Sequence, residues 1–199
     1  MPYLLTILAY LLGSISTAIL TCQLLGLPDP RTVGSNNPGA TNVLRVGGKK
    51  AAAITLLGDL LKSLVPVLIA KALGLNDGWP FVIGFAAFLG HLYPIYYRFQ
   101  GGKGVATALG VYLGIHLWAG LAVVGTWLFV AKVLKFSSLA ALVATLLAPL
   151  YFYFFTSDGW LTLGLLLITA LIYWRHRSNI RNLIRGAEGK IQSGDSTKN

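Results

Sequence analysis

The sequence predicts an all-α integral membrane protein with seven transmembrane helices, the fourth and fifth of them short, the N-terminus outside and the C-terminus in the cytoplasm. Three observations carry this expectation. Hydrophobic residues make up 55% of the 199 residues and charged residues only 11%, more apolar surface than a small water-soluble domain hides in one core. The apolar residues gather into runs of span-like length, separated by short polar segments. The 16 Lys and Arg, against 6 Asp and Glu, concentrate in alternate polar segments, as the bias of cationic loops toward the cytoplasmic side requires.

Taken in order, the first run covers 3–25. No basic residue precedes it and it exceeds a signal-peptide core, so it reads as a first span. It holds the one cysteine, Cys22, which leaves no intramolecular disulfide and no cysteine metal cluster. The second and third spans fall at 51–73 and 79–97. The stretch from 105 to 134 is ambiguous, because one helix of roughly 30 residues would measure about 45 Å. Charge decides it. The loops around Arg98 to Lys103 and Lys132 to Lys135 are both basic and belong on the cytoplasmic side, so an even number of crossings lies between them. Two short helices, 105–115 and 118–130, turning near Gly114 to His116, satisfy this. The sixth span is expected at 137–155, where Ser137 and Ser138 are natural helix caps, and the seventh at 160–174. Residues 1–190 form a single membrane domain and 191–199 a flexible cytoplasmic tail.

This topology puts Arg31, Arg45, Lys49, Lys50, Arg98, Lys103, Lys132, Lys135 and the basic end from Arg175 onward in the cytoplasm, with Lys71 outside and Lys62 within a span. Most of the net charge of +10 therefore orients helices and meets anionic headgroups. The cations are dispersed along membrane-proximal loops, not gathered in a soluble basic module, which speaks against nucleic-acid binding. Within the second span Asp59 and Lys62 are three residues apart on one helical face and read as a structural or site-orienting ion pair, since a single pair is no proton relay.

Three polar segments exceed what a membrane bundle needs. In the first, Gly34, Ser35, Asn37, Gly39, Thr41 and Asn42 combine small residues with hydroxyls and amides. A helix starting near Ala40 or Thr41 would aim free amides into this loop, and Arg45, one turn on, would close a fork on phosphate oxygens. The second, Gly101, Gly102, Lys103 and Gly104, lacks the Ser or Thr that a nucleotide-binding loop needs after its lysine. It places a lysine between glycines ahead of Thr107, a second phosphate-binding candidate, with His91 ending the third span nearby. The third holds Arg175, His176, Arg177, Asn179 and Arg181, followed by Glu188; stop-transfer charge explains its arginines but not His176, Asn179 or Glu188.

Together these segments resemble the bacterial integral-membrane acyl-phosphate:glycerol-3-phosphate acyltransferases over nearly the whole chain. The matching motifs are 33–45, then 90–94 with 101–107, then 175–180 with Gly186 and Glu188. The family commonly has glycine where Asn36 stands. The resemblance implies transfer of a fatty acyl group from acyl phosphate to the 1-hydroxyl of sn-glycerol 3-phosphate, giving lysophosphatidic acid and phosphate, the first acylation of phospholipid synthesis. It implies no cofactor, no metal, membrane lipids as surroundings, no obligate protein partner, and a bacterial cytoplasmic membrane with the site facing the cytoplasm.

By resemblance, the catalytic set is Ser35, Arg45, Lys103, His176 and Asn179. Gly34, Asn37, Gly39, Thr41, Asn42, His91, Gly101, Gly102, Gly104, Thr107, Ser138 and Glu188 bind substrate. Cations and donors would collect the charge of a phosphate that already leaves readily. The proton acceptor is open between His91, His176 and a substrate phosphate oxygen. No histidine has aspartate five positions on, since Tyr96, Leu121 and Arg181 occupy those places, which disfavours acyl coenzyme A as donor. A membrane transporter of an organic phosphate is the alternative, and would more often show two similar halves, of which the sequence has no sign.

Overall fold

The computed structural model describes residues 1–76 and 78–191, so the expected tail lies outside them except for Ile191. Regular structure among these residues is helical: α1 (Pro2–Gly13), α2 (Thr17–Leu24), α3 (Ala40–Ala72), α4 (Trp79–Leu92) with a 3-10 turn at Ile95–Tyr97, α5 (Val105–Ile115), α6 (Leu117–Leu134), α7 (Ser137–Thr156), α8 (Gly159–Arg175) and α9 (Arg177–Ile184). Four elements are long and apolar enough to cross a membrane: α3, α4 with its 3-10 turn, α6 and α7. The bent pair α1–α2 makes up to five. Helices α5 and α8 are apolar but shorter, at 11 and 17 residues.

Three elements depart from the sequence expectation. The first span is broken by 43° between α1 and α2, where the Ser16 side chain caps α2 by accepting from the Ile19 amide at 3.4 Å. The second span begins eleven residues early, because the cationic stretch after Gly39 is itself helical and joins the apolar helix through Gly48, at φ 76° and ψ −175°. The expected short fifth helix is an 18-residue one. It continues past Val130 through Lys132, whose aliphatic stem suits a helix end, and stops at Lys135, which takes a left-handed conformation at φ 60°.

Packing follows small residues and satisfied backbone. A Cβ on Gly13 would strike the Ala87 backbone and one on Gly90 the Tyr10 carbonyl, so α1 and α4 cross at near contact. The Tyr10 hydroxyl donates to the Tyr93 carbonyl at 2.9 Å to close that crossing. In α7, Pro149 has no amide to give to the Thr145 carbonyl; the Thr169 hydroxyl of α8 takes that place at 2.8 Å. Phe88, Tyr112, Phe152, Leu165 and Ile168 join α4, α5, α7 and α8 in one buried cluster. Short α5 packs against both α3 and α6, which stand apart on either side of it.

The loops sort to two ends. At one, Lys71 donates to the Gly114 and Ile115 carbonyls at 3.1 Å each, covering the C-terminus of α5. At the other, the segments before α3, before α5, before α7 and after α8 are tied together by side chains.

Candidate active site

The N-terminus of α3 carries the first segment. Its loop is pinned by Asn42, which is buried: the Oδ1 accepts from the Ser35 amide at 2.9 Å while Nδ2 donates to the carbonyls of Pro30 at 2.8 Å and Val33 at 3.0 Å. Gly34 lies against this amide, where any side chain would collide with Asn42 Oδ1. Asn36 adopts φ 55°, a left-handed conformation that asparagine tolerates better than most residues. Gly39 starts α3 in extended geometry, so the amides of Ala40 and Thr41 precede the first intrahelical bonds and carry the positive end of the helix.

The second segment is held as a loop by its neighbours. The Gly102 amide donates to the His91 carbonyl at 3.2 Å, and Arg175 donates to the carbonyls of Gly101 at 2.5 Å and Gly102 at 3.1 Å. Gly104 opens α5 at φ 84°, with Phe88 and Leu92 where a Cβ would be. Lys103 is thereby turned toward the third segment, and its Nζ donates to Asn179 Oδ1 at 2.6 Å. Burial pulls the Lys103 amine below 10.5; Glu188 opposes that shift, and Arg45 and Arg175 add to it.

Beyond α9 the chain turns back across the site. Glu188 Oε1 accepts from Asn179 Nδ2 at 2.7 Å and from the Ser138 hydroxyl at 2.5 Å. The Gly189 carbonyl accepts from Arg45 at 3.4 Å, and the Ile191 amide donates to the Lys135 carbonyl at 2.7 Å. His176, buried between α8 and α9, donates from Nδ1 to the Ile172 carbonyl at 2.8 Å, leaving Nε2 as the nitrogen with a lone pair. Burial brings its pKa down to about 4, with the Ile172 bond and Glu188 opposing and Lys103 and Arg175 assisting.

These side chains surround one cleft of about 340 Å³. Its polar end is lined by Ser35, Asn37, Gly39, Thr41, Asn42, Arg45, Lys103, Gly104, Ser137, Ser138, His176, Asn179 and Glu188, with His91 and Asp59 at its side. Its other end is apolar: Leu56, Leu57, Leu60, Leu109, Leu113, Leu121, Val124, Trp127 and Leu128, from α3, α5 and α6. Several of these wall residues are also exposed, Leu56, Leu57, Leu121 and Leu128 among them, so the cleft opens sideways between α3 and α6.

Four expected contact residues lie off the lining. Gly34, Gly101 and Gly102 shape loops behind it, and Thr107 is fully buried, its hydroxyl without a partner and its carbonyl accepting from Ser63 at 2.6 Å. Position 107, in the first turn of α5, is on the face packed against Ser63 of α3, while its neighbours Val105 and Ala106 line the cleft. Conversely, Ser137 was expected only to cap α7; Phe136 holds the cap position, and the Ser137 hydroxyl bonds Thr41 Oγ1 at 2.9 Å on the cleft wall. Arg175 reads in the sequence as stop-transfer charge, yet it clamps the lysine loop. Its signal was its place inside the third motif. Among the described residues no cluster of His, Cys, Asp and Glu could hold a metal ion.

Residues 3–186 match the family described as glycerol-3-phosphate acyltransferase. A glycerol-3-phosphate acyltransferase of Thioalkalivibrio sulfidiphilus is 63% identical over 96% of this chain and 93% of its own length. One from Hydrogenovibrio crunogenus is 57% identical over 92% and 88%. The fold matches the crystal structure of PlsY (YgiH), an integral membrane glycerol 3-phosphate acyltransferase, in its glycerol 3-phosphate form, with a TM-score of 0.91 and 39% identity over 96% of both chains. The lysophosphatidic acid form of that enzyme matches with a TM-score of 0.89. Motifs, site and full-length similarity agree: the chain is an integral, multi-pass membrane enzyme that belongs to the glycerol-3-phosphate acyltransferase family.

Proposed function

We propose that this chain transfers a fatty acyl group from acyl phosphate to the 1-hydroxyl of sn-glycerol 3-phosphate, releasing lysophosphatidic acid and inorganic phosphate. The observation that carries the reading is the two-ended cleft. One end offers two cations, Arg45 and Lys103, with hydroxyl and amide donors; the other is an apolar wall open to lipid. A reaction between two phosphorylated substrates, one bearing an alkyl chain, uses both ends.

In this reading the hydroxyl attacks the acyl carbonyl, the mixed anhydride breaks at the carbonyl-to-phosphate oxygen, and Lys103, Arg45, Ser35, Thr41, Ser137 and the α3 amides receive the charge of the departing phosphate. Asn179 and Glu188 hold Lys103 and Ser138 in place. His176, neutral and held at about pKa 4, is a weak base at neutral pH, and Lys62 donates to His91 Nδ1 at 2.8 Å. The hydroxyl proton therefore passes to a phosphate oxygen of the substrate, whose second ionisation lies near pH 6.

The same reading takes α1–α2, α3, α4, α5, α6, α7 and α8 as seven crossings, N-terminus outside, with the site on the cytoplasmic face of the bacterial inner membrane. It is supported by the basic residues of the site-bearing loops and by the exposed, apolar outer faces of the helices. Purified chain in detergent, given acyl phosphate and glycerol 3-phosphate, should release phosphate and form lysophosphatidic acid. Failure to form that product, with sealed liposomes instead accumulating glycerol phosphate, overturns the enzyme reading for a transporter.

A further inference from the structure

A buried polar knot lies beside the cleft and takes no part in the reaction above. The Lys62 ammonium, from the middle of α3, donates to Asp59 Oδ1 at 2.9 Å, to the Ile15 carbonyl at 3.1 Å and to His91 Nδ1 at 2.8 Å. Those three bonds use all three of its protons. Ile15 is in the break between α1 and α2, Asp59 is one turn before Lys62 on α3, and His91 is at the end of α4. Asp59, Lys62 and His91 are all buried, with Asp59 Oδ1 also 3.6 Å from His91 Nδ1. An ammonium donating to Nδ1 leaves the imidazole proton on Nε2. That nitrogen is the nearest atom to the place a Gly102 Cβ would take, and the His91 carbonyl accepts the Gly102 amide. His91 thus touches the lysine loop with both its ring and its backbone.

We propose that Lys62 is a positioning residue for the acyl transfer: by fixing the His91 ring as its Nε2–H tautomer against Gly102, it seats the Gly101–Gly104 loop and so places Lys103. The inference rests on the acyltransferase reading above. A charged pair in a bundle interior has a desolvation cost that apolar residues of the same size avoid. What Lys62 adds is a fixed point reaching from the α1–α2 break to the loop. A displacement of about 1 Å in a phosphate-binding ammonium is enough to reduce a rate by roughly a hundredfold.

The test compares the full-length parent, Lys62→Met, the charge-balanced double variant Asp59→Leu/Lys62→Met, and His91→Ala, each in detergent. The double variant removes both charges and so avoids stranding a buried carboxylate. Parent turnover checks the acyltransferase reading independently of the rest. Imidazole nitrogen NMR, which needs no substrate, reads the tautomer of His91. The expected result is a parent with His91 held as the Nε2–H form, loss of that single tautomer in Lys62→Met and in the double variant, and at least about tenfold lower turnover in all three variants. Added to His91→Ala, the double substitution should change turnover by less than about twofold, because it acts through His91. A folded double variant with turnover within about twofold of the parent overturns the proposal. So does an unchanged His91 spectrum, losses that multiply in the His91→Ala background, or a double variant that does not fold, since that assigns the pair to folding alone.

Discussion

Lys103 and Asn179 are 76 positions apart in the chain and meet through a 2.6 Å hydrogen bond from the Lys103 ammonium to the Asn179 side-chain oxygen. Asn179 passes the contact on to Glu188, and Glu188 to Ser138, so the loop before α5, the start of α7, helix α9 and the segment after it form one polar chain. The Lys103 ammonium is oriented by one direct partner, Asn179, which is itself held by Glu188.

Lys103→Ala and Arg45→Ala should each lower turnover by at least about a hundredfold while the protein stays folded and monodisperse, since each removes a cation from a partly desolvated phosphate site. Initial rates of phosphate release, read beside size-exclusion profiles, check this. Rates near the parent's would remove the residue from the site.

Glu188→Gln keeps the shape of the side chain and removes its charge. Glu188 raises the Lys103 pKa against the dominant effect of burial, so the substitution should lower that pKa further. Activity that needs a protonated Lys103 should then fall away at lower pH than in the parent, and turnover near neutrality should drop by about tenfold. The alkaline limb of the pH–rate profile is the measurement; an unmoved or upward-shifted limb contradicts the pairing.

His176 is buried with a pKa of about 4, below its ordinary 6.5. Between those values the unfolded chain binds the proton and the folded chain does not, so stability should be complete above about pH 6.5 and decline as pH falls toward 4, by on the order of 3 kcal/mol. Thermal unfolding in detergent from pH 4 to 8 should show this slope, and His176→Gln should flatten it. Activity should show no inflection from His176 near pH 6.5.

The apolar wall sets which acyl chains fit. Leu113→Trp adds bulk where α5 lines the lipid end of the cleft, and should depress turnover of long acyl phosphates more than short ones, moving the preferred length downward. Competition between acyl phosphates of two lengths gives the ratio directly. A uniform loss across lengths would place Leu113 outside the acyl path.

Where the apolar helices fall was legible in the sequence because lipid imposes a simple rule on composition, and the polar segments that meet at the cleft stood out because a bundle has no use for them. The rest was hidden for physical reasons. Gly48 bends a helix that hydropathy divides into a loop and a span, since a cationic helix looks polar whether it is coiled or not. Thr107 is buried off the cleft and Ser137 faces it, because the helical face that each presents depends on neighbours from α3 that are far away in sequence. Arg175 could not be told from topogenic charge, because its function is to hold backbone carbonyls and not a ligand. The pairing of Asp59 with Lys62 was readable from its spacing, but His91 and Ile15 as its further partners were not.

The sideways opening at Leu56, Leu57, Leu121 and Leu128 makes this small bundle a catalyst at a phase boundary. On the proposed reading, the polar headgroup stays on the aqueous side and the alkyl tail in oil from arrival to departure. Drawing a fatty chain through water costs about 0.8 kcal/mol for each methylene, a barrier that would grow with every two-carbon extension of the substrate. An enzyme that never takes the tail out of the membrane is free of that penalty, and its membrane-bound product leaves by diffusing within the leaflet.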